Sequence, residues 1–262
     1  MSMKQNDLKK RMADSKTVFG LFINSGSTIA CEIAGLSGFD FVMIDSEHGP
    51  TDPIRNRDLI TAAEYRDVAP IVRVPNGDYD TILRTLDVGA HGIMVPQVNT
   101  QEQAQAVAEA ALYTPKGNRG VATTRAGDYG FFQPMSEYFR QANERNLVIV
   151  QCENVKAVPN LDEICKIPGI DVVFVGPYDL SASMKTPGKV DYESIRPIAD
   201  LVLEKTSANG KFAGIFTKDP TEARMYEEMG FRFIIVSTDI SCLVSGCRQA
   251  ADRIYEGGKN EI

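Results

Sequence analysis

The sequence lacks most of the features that mark the simpler functional classes. Its five cysteines, at positions 31, 152, 165, 242 and 247, are an odd and scattered set with no CxxC pair. That pattern excludes a disulfide framework or a zinc ribbon and suits a reducing cytoplasm; Cys31 and Cys152, in apolar contexts, read as plain core residues. No stretch approaches the roughly 18 apolar residues of a membrane span. The opening segment MSMKQNDLKKRMADSK has charge but not the apolar run of a secretory signal. Positive charge is scarce: 28 Lys and Arg against 35 Asp and Glu leave a net charge of -7, so no basic field exists to neutralise a nucleic-acid backbone. A small anionic substrate stays compatible, because a few cations placed in a cleft outweigh the average surface. No GxGxxG follows the first apolar run and no GxxxxGK(S/T) occurs, which removes support from the nucleotide-binding α/β folds.

What is present is a short apolar run followed by a helical pattern, repeated along all 262 residues. The runs are Val18–Ile23, Phe39–Ile44, Pro70–Val74, Gly92–Val95, Leu147–Cys152, Val172–Gly176, Phe212–Phe216 and Phe231–Val236. They are continuous rather than alternating, as expected of parallel strands covered on both faces. Between them, Asp219-Pro220-Thr221-Glu222 reads as a helix start and Gly230 as its end, while Thr100 with Gln103 resembles a capping box. Eight strand–helix repeats without a linker or a second composition class predict one α/β domain over 1–262, a (β/α)8 TIM barrel. Two regions break the rhythm. Residues 113–146 form an excursion between the fourth and fifth strands, long enough to be functional or packed on a partner. The last helical pattern, with Ile240, Leu243, Val244, Cys247, Ala251 and Ile254 on one stripe, must bury that stripe on its own barrel or on a neighbour's.

In such a barrel the C-terminal strand ends share one mouth, where active sites form. The residues that end or succeed the runs include Asp45-Ser46-Glu47-His48, Arg73, Gln97, Gln151 with Glu153, and Gly176-Pro177-Tyr178-Asp179. Burying such charges costs several kcal/mol unless they are paired or bind a metal, so a rim of structural salt bridges is the weaker explanation. Glu153 and Asp179 are candidate ligands for a hard divalent cation, Mg²⁺ or Mn²⁺, with water and substrate oxygens completing the shell. Either carboxylate alone could instead be a helix cap. Histidine is the side chain whose ordinary range spans neutral pH, which makes His48 a candidate acid/base, and Asp45, three residues earlier, could orient and polarise its ring. Arg73 offers a planar fork for a carboxylate or an enolate oxygen. The Gly176-Pro177 bend leaves the backbone N–H groups of Gly176 and Asp179 as a weaker candidate anion site. His91 precedes its strand, at the opposite end of the barrel, and reads as structural.

These fragments in their order resemble the HpcH/HpaI family of pyruvate-dependent class II aldolases. The likeness covers nearly the whole chain, through Asp45-x-Glu47-His48-x-Pro50, Arg73-Val74-Pro75, Val95-Pro96-Gln97, Arg119-Gly120, Gln151-x-Glu153 and Gly176-Pro177-x-Asp179-Leu180-Ser181. The resemblance implies a metal held by Glu153 and Asp179, His48 as acid/base through a water supported by Asp45, and Arg73 and Gln151 contacting pyruvate. It places Gly176 and Pro177 at the substrate, and Phe22 and Phe216 on the aldehyde side of the pocket. It also implies a homohexamer, a dimer of trimers, in which barrels exchange their last helix. Many relatives carry Gly after the Asp-Leu-Ser-x-x-Met stretch; in this chain Lys185 follows Met184.

Three other readings remain open at this level. A Schiff-base mechanism would use a desolvated lysine, for which Lys218 and Lys156 are the candidates near the mouth. A barrel lyase or epimerase acting on a phosphorylated or coenzyme-A-linked substrate would want a phosphate site after the seventh and eighth strands, where this chain has Thr217-Lys218 and Ser237-Thr238-Asp239 without a glycine-rich turn. A catalytically silent barrel would serve only for binding or assembly.

Overall fold

Eight parallel strands close on themselves: β1 (Val18–Ile23), β2 (Phe41–Asp45), β3 (Ala69–Arg73), β4 (Gly92–Val95), β5 (Leu147–Cys152), β6 (Val172–Val175), β7 (Phe212–Thr217) and β8 (Phe233–Thr238). They pair in that order, and β8 returns to β1. The structure, a computed structural model, describes residues 7–187 and 192–255. The (β/α)8 barrel expected from the repeat is what forms.

Successive side chains of a strand point to opposite faces, so each run feeds two cores. The inner one fills the barrel with Phe41, Met43, Ile71, Met94, Ile149, Phe174, Phe233 and Ile235. The outer one sets Ile44, Val72, Ile93, Val150, Val173 and Ile215 against the surrounding helices. The short helix α1 (Leu8–Ala13) plugs the barrel at the N-terminal ends of the strands. Its Leu8 and Met12, one turn apart, join the inner core. Lys9 pairs with Asp171 at 2.8 Å and Arg11 with Asp40 at 2.6 Å, anchoring the plug to the turns before β6 and β2.

Several strand ends shift by one or two residues from the sequence expectation, at β2, β3, β6, β7 and β8, and two of the shifts share one physical reason. Phe39 and Phe231 are apolar but lie before the first ladder residues. Each closes the preceding helix, α2 (Thr28–Leu36) or α10 (Pro220–Met229). The Phe39 N–H donates to the Ala34 carbonyl at 3.2 Å and that of Phe231 to Tyr226 at 3.0 Å, just past Gly38 and Gly230, both at positive φ. That is a Schellman ending with its attendant apolar contact; the Phe231 ring meets that of Tyr226 at 5.2 Å. The expected caps also form: Asp219 accepts from the Glu222 N–H at 2.9 Å, and Thr100 with Gln103 completes a capping box.

The excursion is partly ordered on its own barrel. Helix α6 (Met135–Arg145) brings Phe139 to 4.3 Å from the ring of buried Tyr113. Arg119 stacks over the same ring at 4.5 Å and pairs with Asp87 at 2.7 Å. Its tip leaves Val121, Tyr129, Phe131 and Phe132 exposed. Helix α11 (Asp239–Tyr255) buries none of its described residues, and Ile240, Leu243, Val244 and Ile254 face outward. The apolar stripe read in the sequence is therefore not covered by its own barrel.

Helix α8 (Pro177–Ser183), which follows β6, ends in the same motif as α2 and α10. The Thr186 N–H reaches the Ser181 carbonyl at 2.9 Å and that of Lys185 the Ala182 carbonyl at 3.0 Å. The left-handed residue of this ending is Lys185, at φ 62°, where its Cβ is strained and glycine would not be. Lys185→Gly should accordingly stabilise the fold by about 0.5–1 kcal/mol, a rise of roughly 1–4 °C in Tm for a chain of this size. A lower melting temperature for the variant would refute this account of the helix end.

Candidate active site

The alternation that fills the barrel also aims the residues at its mouth. Phe41 and Met43 in β2 lead to Asp45, Ala69 and Ile71 in β3 to Arg73, Leu147 and Ile149 in β5 to Gln151, and Val172 and Phe174 in β6 to Gly176. Asp45 and Arg73 are register partners across β2 and β3. Both are buried, and the guanidinium meets the carboxylate through two bonds, Nε at 3.0 Å and Nη2 at 2.7 Å. The remaining terminal nitrogen, Nη1, lies 3.2 Å from Glu47 Oε2, and the Arg73 charge sits 4.8 Å over the Phe22 ring. Burial works against this cation, but the bonds and charge of Asp45, with Glu47 and Glu153 behind, hold the guanidinium above its ordinary range.

Asp45 does not use its carboxylate as the sequence reading expected. Oδ1 accepts the backbone N–H of Glu47 at 3.1 Å and of His48 at 3.2 Å, and Oδ2 accepts from Asn24 Nδ2. It thus shapes the loop that carries His48, and the acidic atom nearest the imidazole belongs to Glu47, with Oε2 at 3.9 Å from Nε2. The His48 side chain is 62% exposed and lines the mouth. Glu47 is the participant that the sequence reading named only as part of a motif.

Glu153 is buried beyond the end of β5. Oε1 accepts the Gln97 N–H at 2.8 Å and Oε2 accepts Gln151 Nε2 at 2.8 Å. Gln97 adopts φ 54° to present that N–H, a left-handed conformation that a non-glycine residue holds only where its surroundings enforce it. Burial pushes the Glu153 carboxyl up to about 7; the Gln97 bond opposes this and the charges of Asp179 and Glu47 add to it. Gly176 packs against this group so closely that a Cβ there would stand 2.8 Å from Glu153 Oε2. Its N–H is directed to the Cys152 carbonyl at 3.4 Å, so the expectation that it serves as an anion donor is not met, although Gly176 and Pro177 do border the cavity.

That cavity, about 420 Å³, is bounded by Phe22, His48, Arg73, Gln151, Asp179 and Phe216, with Tyr178, Asn24, Thr238 and Ser241 completing the wall. Phe216 stands 6.0 Å from Phe22 and 5.9 Å from Tyr178 by ring centroid, giving one apolar side. Exposed Asp179 lies in the first turn of α8 and borders the same cavity.

The donor set fits a divalent cation. Asp45, Glu47, Glu153 and Asp179 outnumber Arg73 and His48, and the buried Glu153 carboxylate has only N–H partners. Gln151 Oε1 is buried beside it without a hydrogen bond. Among the described residues no three His, Cys, Asp or Glu side chains converge as a closed ligand set, so two carboxylates would need water or substrate oxygens to complete a shell, the habit of Mg²⁺ and Mn²⁺.

The competing chemistries find less support. Lys156 and Lys218 are both exposed, whereas a Schiff-base lysine needs desolvation. After β7 and β8, the Thr217 hydroxyl donates to the Ile235 carbonyl at 3.2 Å. The Asp239 carboxylate there accepts the N–H of Asn24 at 2.9 Å and of Ile240 at 2.8 Å. An acidic group thus already occupies the donors that a phosphate would need. His91 is placed as expected, at the far end of the barrel, with Nε2 3.0 Å from Glu64 Oε1.

Known proteins resemble this chain in sequence and in fold. The sequence profile of the HpcH/HpaI aldolase/citrate lyase family matches residues 18–245. A hydroxypyruvate/pyruvate aldolase of Roseobacter denitrificans is 36% identical, covering 96% of this chain and 98% of that protein. A 5-keto-4-deoxy-D-glucarate aldolase of Shigella boydii is 32% identical over 94% of this chain and 95% of that one. The crystal structure of an HpcH/HpaI aldolase/citrate lyase family protein from Burkholderia cenocepacia superposes with a TM-score of 0.89 at 34% identity, covering 95% of this chain and 99% of that chain.

The raised Glu153 carboxyl sets a pH dependence. Its folded value lies above its ordinary one, so its contribution to stability is complete below 4.5 and is lost as pH rises through about 7. Above that, burying the charge costs on the order of 3 kcal/mol. Without divalent cations, Glu153→Gln should therefore resist urea better than the wild type at pH 8, with the advantage vanishing near pH 4. An equal difference at both pH values would show that the carboxyl is not strained as described.

Proposed function

Because the chain belongs to the HpcH/HpaI aldolase/citrate lyase family, we propose that it is a metal-dependent aldolase cleaving a 4-hydroxy-2-oxo acid to pyruvate and an aldehyde. The observation that carries this reading is the pairing of a buried cation and a buried, cation-poor carboxylate at one cavity: Arg73 at its wall, and Glu153 bonded to Gln151 just behind it. The relatives' names support small oxo acids as substrates.

A divalent cation between Glu153 and Asp179, Mg²⁺ or Mn²⁺, would supply Lewis-acid polarisation of the 2-oxo group. Gln151 and Arg73 hold the pyruvate part in this reading, with Gly176 and Pro177 beneath it. His48 takes the proton of the 4-hydroxyl through a water. The oxygen's electron pair then forms the aldehyde carbonyl, the C3–C4 bond breaks, and its electrons pass into the C2–C3 enolate. Arg73, fixed by Asp45, faces the oxygen on which that charge accumulates, a preorganised contact of several kcal/mol. Phe22 and Phe216, with Tyr178, form the apolar side that receives the aldehyde. Protonation at C3 releases pyruvate.

The same resemblance supports a cytoplasmic homo-oligomer, a hexamer built as a dimer of trimers in which α11 is exchanged. Its outward Leu243 and Val244, 67% and 42% exposed, are what such a contact would cover. Among the described residues, no helix is long and apolar enough to cross a membrane, and all five cysteines are free thiols. By sedimentation the wild type should run as the oligomer and Leu243→Glu as a smaller species; a monomeric wild type would refute the assembly.

Pyruvate release from a panel of 4-hydroxy-2-oxo acids, with Mg²⁺, Mn²⁺ or a chelator, tests the activity. Chelation should abolish turnover, and borohydride with pyruvate should trap no adduct. Arg73→Ala should lower kcat roughly 100- to 1,000-fold, and near-normal turnover in that variant would rule out enolate stabilisation by Arg73.

A further inference from the structure

We propose that Glu47 is a positioning residue, a movable carboxylate that guards Arg73 in the free site and turns to His48 when a substrate anion takes its place. The inference rests on the aldolase reading and goes beyond it. One oxygen, Glu47 Oε2, stands 3.2 Å from Arg73 Nη1 and 3.9 Å from His48 Nε2. Asp45 takes the Nε–H and one N–H of Nη2, so Nη1 keeps two N–H groups towards the substrate side, and Glu47 stands over that nitrogen at 3.2 Å. A carboxylate or enolate that engages both Nη1 N–H groups displaces Glu47 Oε2.

The loop permits the move. The Glu47 main chain is tied down by its N–H bond to Asp45 Oδ1 at 3.1 Å, while the side chain is 20% exposed and the imidazole 62% exposed. Five charged or titratable groups face Glu47: Arg73 from β3, Asp45 from β2, Asp179 from α8, His48 from its own loop, and Glu153 beyond β5, whose carboxyl feels the Glu47 charge. Burial pushes its carboxyl up, the Arg73 and His48 charges pull it down, and those of Asp45 and Asp179 raise it. Once the Arg73 charge is shared with a substrate anion, the His48 ring is the group left to answer Glu47, as a cation when it has taken the substrate proton. A carboxylate beside the ring makes it a stronger proton acceptor at the step where it must accept.

The chain has two histidines, so ring resonances in an NMR titration resolve cleanly, and His91, bound to Glu64 at the other end of the barrel, is an internal reference. Wild type and Glu47→Gln would be titrated with and without pyruvate and Mg²⁺, and pyruvate binding would be followed separately by calorimetry. In the wild type, pyruvate should move the His48 midpoint upward by about half a unit, the size expected for a partly solvated pair at such a distance. In Glu47→Gln it should not. The acid limb of kcat, which reports the substrate-bound site, should lie above that of kcat/KM in the wild type and coincide with it in the variant. Pyruvate that binds without moving His48, or moves it equally in Glu47→Gln, overturns the proposal and leaves the aldolase reading standing. Pyruvate that does not bind overturns both.

Discussion

A buried guanidinium is tolerable only where its charge is answered in place, and Asp45 answers that of Arg73 through two hydrogen bonds across neighbouring strands. The contact exists because the residues are register partners at the inward positions that end β2 and β3. Below them the same positions hold Phe41, Met43, Ala69 and Ile71. One alternation thus packs the interior with apolar side chains and then delivers a cation and an anion, already paired, to the mouth. Removing Asp45 would leave the buried guanidinium with Glu47 as its remaining ion-pair partner, a loss of up to about 3–5 kcal/mol, and would also release the loop carrying Glu47 and His48.

Around that pair the site is short of positive charge. Glu153, buried and held by amide donors, is pushed towards the neutral form, and Asp179 and Glu47 worsen its position. Proteins keep such an arrangement where a ligand resolves it. A divalent cation would relieve Glu153, and a substrate anion would share Arg73. In the proposed reaction a single oxo acid would meet both, its 2-oxo oxygen at the cation and its developing negative charge at Arg73.

Much of this was legible in the sequence. Continuous apolar runs such as Leu147–Cys152 gave both strand and boundary, because a fully buried parallel strand leaves no room for polar interruption. Phe39 and Phe231 misled, since an apolar residue that closes a helix looks the same as one that opens a strand. At the mouth, the residue types were readable but not their pairings. Asp45 three residues before His48 suggested a bond to the ring; the chain folds back so that the carboxylate meets main-chain N–H groups instead. The part played by Gln97 was invisible, because it is made by a backbone N–H and a left-handed φ rather than by a side chain. Glu47 is legible as part of a motif but not in its placement, as nothing in spacing says that its one oxygen stands between Arg73 and the His48 ring.

The claim on which the rest turns is that Glu153 and Asp179 answer to one cation. Mn²⁺ binding followed by electron paramagnetic resonance tests it without any turnover. The account expects the wild type to hold Mn²⁺ and both Glu153→Gln and Asp179→Asn to weaken it at least about tenfold, roughly 1.4 kcal/mol each. Undiminished Mn²⁺ affinity in the double variant would contradict it.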